Sequence, residues 1–151
     1  MQGDGAPGRD GLLARLDLPA EAPAVRSALA HARAALARLS LTPECLGDVE
    51  LVLAEVLNNI VLHAYDEVPG PIALELRLAG DELVCTVRDR GCPMPGGTLP
   101  PGLPQRLDIA RTAMPEGGFG WFLIRSHIRA LHYDRDGAGN RLTLHLPLER
   151  G

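Results

Sequence analysis

Cysteine is scarce in this sequence: Cys45, Cys85 and Cys92 are odd in number and form no Cys-x-x-Cys pair. Neither a disulfide framework nor a structural zinc site can therefore organise the fold, and a reducing cytoplasm fits. Long apolar runs are missing too, since none reaches the roughly 18 residues a membrane helix needs. The amino terminus sets Asp4, Arg9 and Asp10 among glycines, where a secretory leader would have a basic end and an apolar core. A protein that is neither exported nor inserted in a membrane is expected. Basic charge is also lacking: a formal net charge of -4 and a pI near 5.7 disfavour a nucleic-acid or anionic-membrane binder. A protein partner or a small ligand is left.

What is present is a chain of 151 residues with 46% apolar content, enough for one domain with a real core. Residues 1–10, glycine-rich with Pro7, read as a mobile tail, and 11–150 as a single domain. Alternation at Leu12, Ala14, Leu16 and Leu18, stopped by Pro19, predicts an edge strand. From Glu21 to Leu39 a helical period places Val25, Leu29, Ala32, Leu36 and Leu39 on one face, with Arg26, Arg33, Arg38 and His31 outward in solvent. Two hairpins follow later in the chain. The first joins Ile72–Leu78 to Leu83–Asp89 through Gly80-Asp81; the second joins Leu131–Arg135 to Arg141–Leu148 through a turn over Asp136–Asn140, with His145 on the exposed phase.

The centre of the chain is a helix that starts with Thr42 as N-cap, Pro43 at the first helical position and Glu44 in the first turn. Leu46, Val49, Leu53, Val56 and Ile60 make one apolar face, while Leu51, Ala54, Leu57, Val61 and Leu62 cover most of the rest, so the helix should be buried nearly all round. Asp48, Glu55, Asn59 and His63 fall in an arc of roughly 80°. That stripe is either the helix's one solvated side or the lining of a polar site. Glu55 and Asn59, four apart, project at one spot and suit a general base beside a metal ligand.

Glu55-x-x-x-Asn59-x-x-x-His63-Ala64-Tyr65 resembles the asparagine box of the GHKL ATP-binding superfamily, in the form used by bacterial anti-sigma factor serine kinases. Asp89-Arg90-Gly91-Cys92-Pro93, at a strand end, is similar to the family's first glycine box. An ionised Asp accepts hydrogen bonds and adenine offers an N–H₂ donor, while Gly91 lets backbone approach the ring; taken alone, an ordinary Asp-x-Gly turn would look the same. Gly117-Gly118-Phe119-Gly120-Trp121 before a helix running to Leu131 resembles the second glycine box, where bare N–H groups at a helix start meet phosphate. Between them, residues 96–117 correspond to the ATP lid, with Pro115-Glu116 where the family commonly has a basic or hydroxyl residue. No Gly-Lys-Ser/Thr of a Walker loop occurs.

The resemblance implies a two-layer α/β sandwich with helices on one face of a mixed, mainly antiparallel sheet. It implies ATP and Mg²⁺ as cofactors, Glu55 as catalytic base and Asn59 as the Mg²⁺ ligand. The nucleotide-binding positions it carries over are Asn59, His63, Asp89, Gly91, Pro93, Gly118, Phe119 and Gly120. Its partners would be a sigma factor and a STAS-domain anti-anti-sigma protein phosphorylated on serine, in a cytoplasmic homodimer. The alternative is an ATP-binding regulatory module without phosphoryl transfer.

Overall fold

The computed structural model describes residues 11–65, 68–92 and 123–151. Strand β1 (Leu12–Pro19) leads into helix α1 (Ala22–Leu36), a 3₁₀ turn over Ala37–Leu39 and helix α2 (Pro43–His63). Strands β2 (Pro71–Ala79), β3 (Glu82–Asp89), β4 (Ala130–Asp136) and β5 (Gly139–Pro147) complete a five-stranded sheet in the order β1-β2-β3-β5-β4. All four pairings among the described strands are antiparallel, so the sheet is uniform where the sequence left room for a mixed one. β1 lies at an edge, as Pro19 at its end foretold.

Alternation decides which face the helices cover. Leu74, Leu76, Leu83, Cys85, Val87, Leu144 and Leu146 are all at most 1% exposed and point to one side. The opposite phase, with Glu75, Arg77, Thr86, Arg88 and Arg141, is half-buried or exposed. Over the covered side lies α2, with Val49, Val52, Leu53, Val56 and Leu57 in the core, and α1, with Val25, Ala28, Ala32 and Leu36.

Local chemistry accounts for the helix limits. Thr42 caps α2 through its Oγ1, which accepts from the Cys45 N–H at 3.1 Å, and Pro43 fills the first helical position. α1 gives way to its 3₁₀ turn at Ala37, and Ser40 turns the chain with a left-handed φ of 56°. Arg33 reaches across to Glu50 of α2 at 3.0 Å, so this arginine is paired as well as solvated.

Four expectations need correction. α2 is not buried all round: Leu62 is 53% exposed and Asn58 is exposed, because a helix laid on a sheet keeps one side open. The helix expected to run to Leu131 ends its described part at Arg125, and the chain enters β4 at Ala130. The second turn is shorter than Asp136–Asn140, since Gly139 and Asn140 already pair within the sheet. His145 is half-buried, with Nδ1 3.2 Å from Glu82 Oε1 and its ring edge-on to His132.

Loss of the cap hydrogen bond in Thr42→Ala should lower stability by about 1 kcal/mol in urea unfolding. Burial pushes the Cys85 thiol from 9.0 up to about 12. The folded chain therefore keeps a proton that the unfolded chain releases, and stability should fall as pH rises from about 9 towards 12. Cys85→Ala should flatten that part of the profile, read as unfolding midpoint against pH.

Candidate functional site

The covered face of the sheet changes character in its last row. Leu18 of β1, Ile72 of β2, Asp89 of β3, Asn140 of β5 and Arg135 of β4 stand side by side in register. The first two are apolar and buried, whereas Asp89 and Asn140 are each only 8% exposed and polar. Burying a carboxylate and an amide is costly unless hydrogen bonds replace water. Here they do. Asp89 Oδ1 accepts from the Gly91 N–H at 2.8 Å and from Asn140 Nδ2 at 2.9 Å. The same Nδ2 donates to the Cys92 carbonyl at 2.8 Å. Asn140 Oδ1 accepts from the Tyr133 hydroxyl at 2.6 Å and from Arg135 Nη1 at 2.9 Å, and that Nη1 also donates to the Gly91 carbonyl at 2.9 Å. Asp89 Oδ2 has no hydrogen-bond partner among the described residues.

The carboxyl end of α2 is pressed against this row. The Cys92 N–H donates to the Ala64 carbonyl at 2.7 Å. Gly91 sits so close that a Cβ would run into the same carbonyl, which excludes any other residue without backbone movement. Tyr65 ties the junction together: its hydroxyl accepts from the Arg90 N–H at 2.7 Å and donates to the Pro71 carbonyl at 2.6 Å. Burial raises the phenol above its ordinary value, so the proton needed for that donation is retained.

Further back on α2, Asn59 is 9% exposed, and its Nδ2 is buried without a hydrogen-bond partner among the described residues. A buried orphan amide is uncommon and calls for a ligand or water. Asn59 lies five residues before Ala64, roughly 7.5 Å along the helix axis. Glu55, one turn earlier, is half-buried, and His63 is exposed at the helix end. Among the described residues no group of three or more His, Cys, Asp or Glu could hold a metal ion. A cation here would rest on the Asn59 amide oxygen, water and the oxygens of a ligand, a set that suits Mg²⁺, while Nδ2 would donate to an acceptor of that ligand or to water. Pro93, Gly118, Phe119, Gly120 and the lid at 96–117 lie outside the described residues.

A profile of the histidine kinase-like ATPase domain matches residues 18–146, most of the chain. The chain belongs to the histidine kinase-like ATPase domain family. Within this ATPase family it is 39% identical over 92 residues to the serine/threonine-protein kinase BtrW of Bordetella bronchiseptica, covering 60% of this chain and 62% of that one. It is 30% identical over 90 residues to the serine-protein kinase RsbW of Bacillus mycoides, covering 59% and 56%. An anti-sigma F factor of Clostridium kluyveri matches at 23% over 110 residues, covering 72% and 75%. The chain thus spans about 60% of the length of the kinases it matches. The crystal structure of the RsbU and RsbW domains of Rv1364c from Mycobacterium tuberculosis is similar in fold, with a TM-score of 0.63 at 22% identity over 91% of this chain and 33% of that one. The resemblance drawn from the sequence motifs to the anti-sigma serine kinases stands on these relatives.

Of the positions expected from the sequence, the ATPase fold brings Asp89 and Gly91 together with the end of the helix that carries Glu55 and Asn59. Sequence reasoning missed Asn140, Tyr133 and Arg135. A usable signal existed: continuing the alternation Leu146, Leu144, Leu142 backwards puts Asn140 on the covered face, and Leu131 and Tyr133 carry the same phase forwards to Arg135. Tyr65→Phe keeps the ring and removes both hydroxyl bonds, which should cost about 1–3 kcal/mol. Amide exchange at Arg90 should speed up with it, read by hydrogen exchange.

Proposed function

We propose that this chain is an ATP-dependent protein serine kinase that also acts as an anti-sigma factor. The observation that carries the reading is the pairing, among the described residues, of a hydrogen-bonded Asp89 with Oδ2 left over and an Asn59 amide nitrogen without a partner on the helix pressed against it. A nucleotide-binding ATPase domain follows from the family alone; the residue roles are inferred from their chemistry and from the asparagine and glycine motifs.

In this reading Asp89 Oδ2 accepts from the exocyclic amine of adenine, and Gly91 and Pro93 let the backbone lie along the base. Gly118, Phe119 and Gly120 offer N–H groups to the phosphates, and His63, at the end of α2, is a further nucleotide contact. Asn59 holds Mg²⁺, which when bound neutralises phosphate charge. Glu55 takes the proton from a serine hydroxyl as its oxygen bonds to the γ-phosphorus and the bond to the β-phosphate bridging oxygen breaks. All 15 cationic side chains are arginine, so direct cationic contact with phosphate is left to arginine and the metal ion.

A relative named as an anti-sigma F factor supports a sigma factor as partner, and those named as serine-protein kinases support a protein serine as acceptor; the reading adds a STAS-domain anti-anti-sigma antagonist as the bearer of that serine and a cytoplasmic homodimer. Among the described residues no helix is long and apolar enough to cross a membrane. Glu116, acidic at the lid's end, favours a second reading in which ATP is a conformational ligand only.

Transfer of radiolabelled γ-phosphate to a serine of the antagonist separates the two. Glu55→Gln should leave ATP affinity within about twofold and lower transfer by at least about 100-fold. Equal transfer by the variant removes Glu55 from the role.

A further inference from the structure

Three donors and acceptors in the last row of the sheet have only one consistent arrangement. A guanidinium donates and never accepts, so the Asn140 atom facing Arg135 must be the amide oxygen. The Cys92 carbonyl accepts and never donates, so the atom facing it must be the amide nitrogen. With both ends assigned, Asn140 can only donate to Asp89, and Asp89 Oδ1 is filled by two N–H groups. The carboxylate is thereby held by Oδ1, with Oδ2 without a hydrogen bond among the described residues.

We propose that Arg135 is a positioning residue that sets nucleobase selectivity through Asn140: it braces the amide that aims the Asp89 carboxylate at the base. This rests on the reading of Asp89 as the adenine acceptor and extends it two strands outward, to an exposed residue of the edge strand β4. An acceptor at that place takes the 6-amino group of adenine and opposes the 6-oxo group of hypoxanthine, which differs only around that ring edge. Without Arg135 the amide oxygen keeps the neutral Tyr133 hydroxyl as donor and loses the charged one. The Cys92 carbonyl still keeps Nδ2 towards Asp89, but the amide has lost its charged brace and the carboxylate is aimed less firmly. Arg135 also anchors the Gly91 carbonyl, so one Nη1 fixes both the acceptor and the backbone beside it.

The test is the ratio of ATP to ITP affinity, measured by titration on the full chain with Mg²⁺ present. Arg135→Met should lower the ratio about tenfold by loss of a charge-assisted hydrogen bond. Arg135→Lys, which still only donates, should keep most of it. Tyr133→Phe, a second variant, should lower the ratio less. Thermal melts accompany each variant, and an equal loss of affinity for both nucleotides marks a merely structural role and overturns the proposal. An unchanged ratio in Arg135→Met overturns it as well. Asp89→Asn separates the levels: if that variant keeps the wild-type ratio, the reading of Asp89 fails and takes this inference with it. If Asp89→Asn collapses the ratio and Arg135→Met does not, the inference alone fails.

Discussion

A carboxylate can stand on the covered face of a sheet only if donors replace the water it gives up, and Asp89 depends for this on Asn140. Leucine there would leave the carboxylate with the Gly91 N–H alone, and the desolvation cost of an underpaired charge runs to several kcal/mol. The dependence extends outward. Asn140 needs the Tyr133 hydroxyl and the Arg135 guanidinium on its oxygen, and Gly139 must precede it because a Cβ there would strike the Asp89 carbonyl. The polar row is thus a unit whose members have little meaning singly. The apolar rows behind it supply the rigid, water-poor base on which the unit is held.

The helical side obeys the same constraint. Gly91 without a side chain, the Cys92 N–H on Ala64 and the Tyr65 hydroxyl between Arg90 and Pro71 close the gap between α2 and the end of β3. Asp89 and the buried Asn59 amide therefore belong to one packed body, and neither hangs from a free loop. The geometry of the site is a property of the core packing more than of any single side chain.

Much of this was legible in the sequence because it was periodic or punctuated. Period-two alternation in β2, β3 and β5 and the Thr42-Pro43 start of α2 are local signals, and local chemistry decided them. Asp89 was visible because Asp89-Arg90-Gly91 at a strand end resembles the first glycine box. Asn140 was hidden by its company: Asp136-Gly137-Ala138-Gly139-Asn140 has turn composition throughout, and only pairing with β3 and β4 turns its last residue into a strand residue. The end of the helix before β4 was misread for a related reason. Ile128 and Leu131 keep helical spacing with Ile124, yet Leu131 pairs with Leu144 in the sheet, and long-range pairing outweighed a local period. Leu62 shows the reverse limit, since an apolar residue on a helix does not by itself announce what covers it.

The interval between Asn59 and Ala64 has a further meaning. One end carries the orphan amide and the other is welded to the glycine loop, with continuous helix between. Adding or removing one residue there would swing Asn59 about 100° around the axis and shift it about 1.5 Å, separating two groups that the proposed function aims at one nucleotide. Length variation among relatives should consequently concentrate in the connections, while this stretch acts as a fixed ruler.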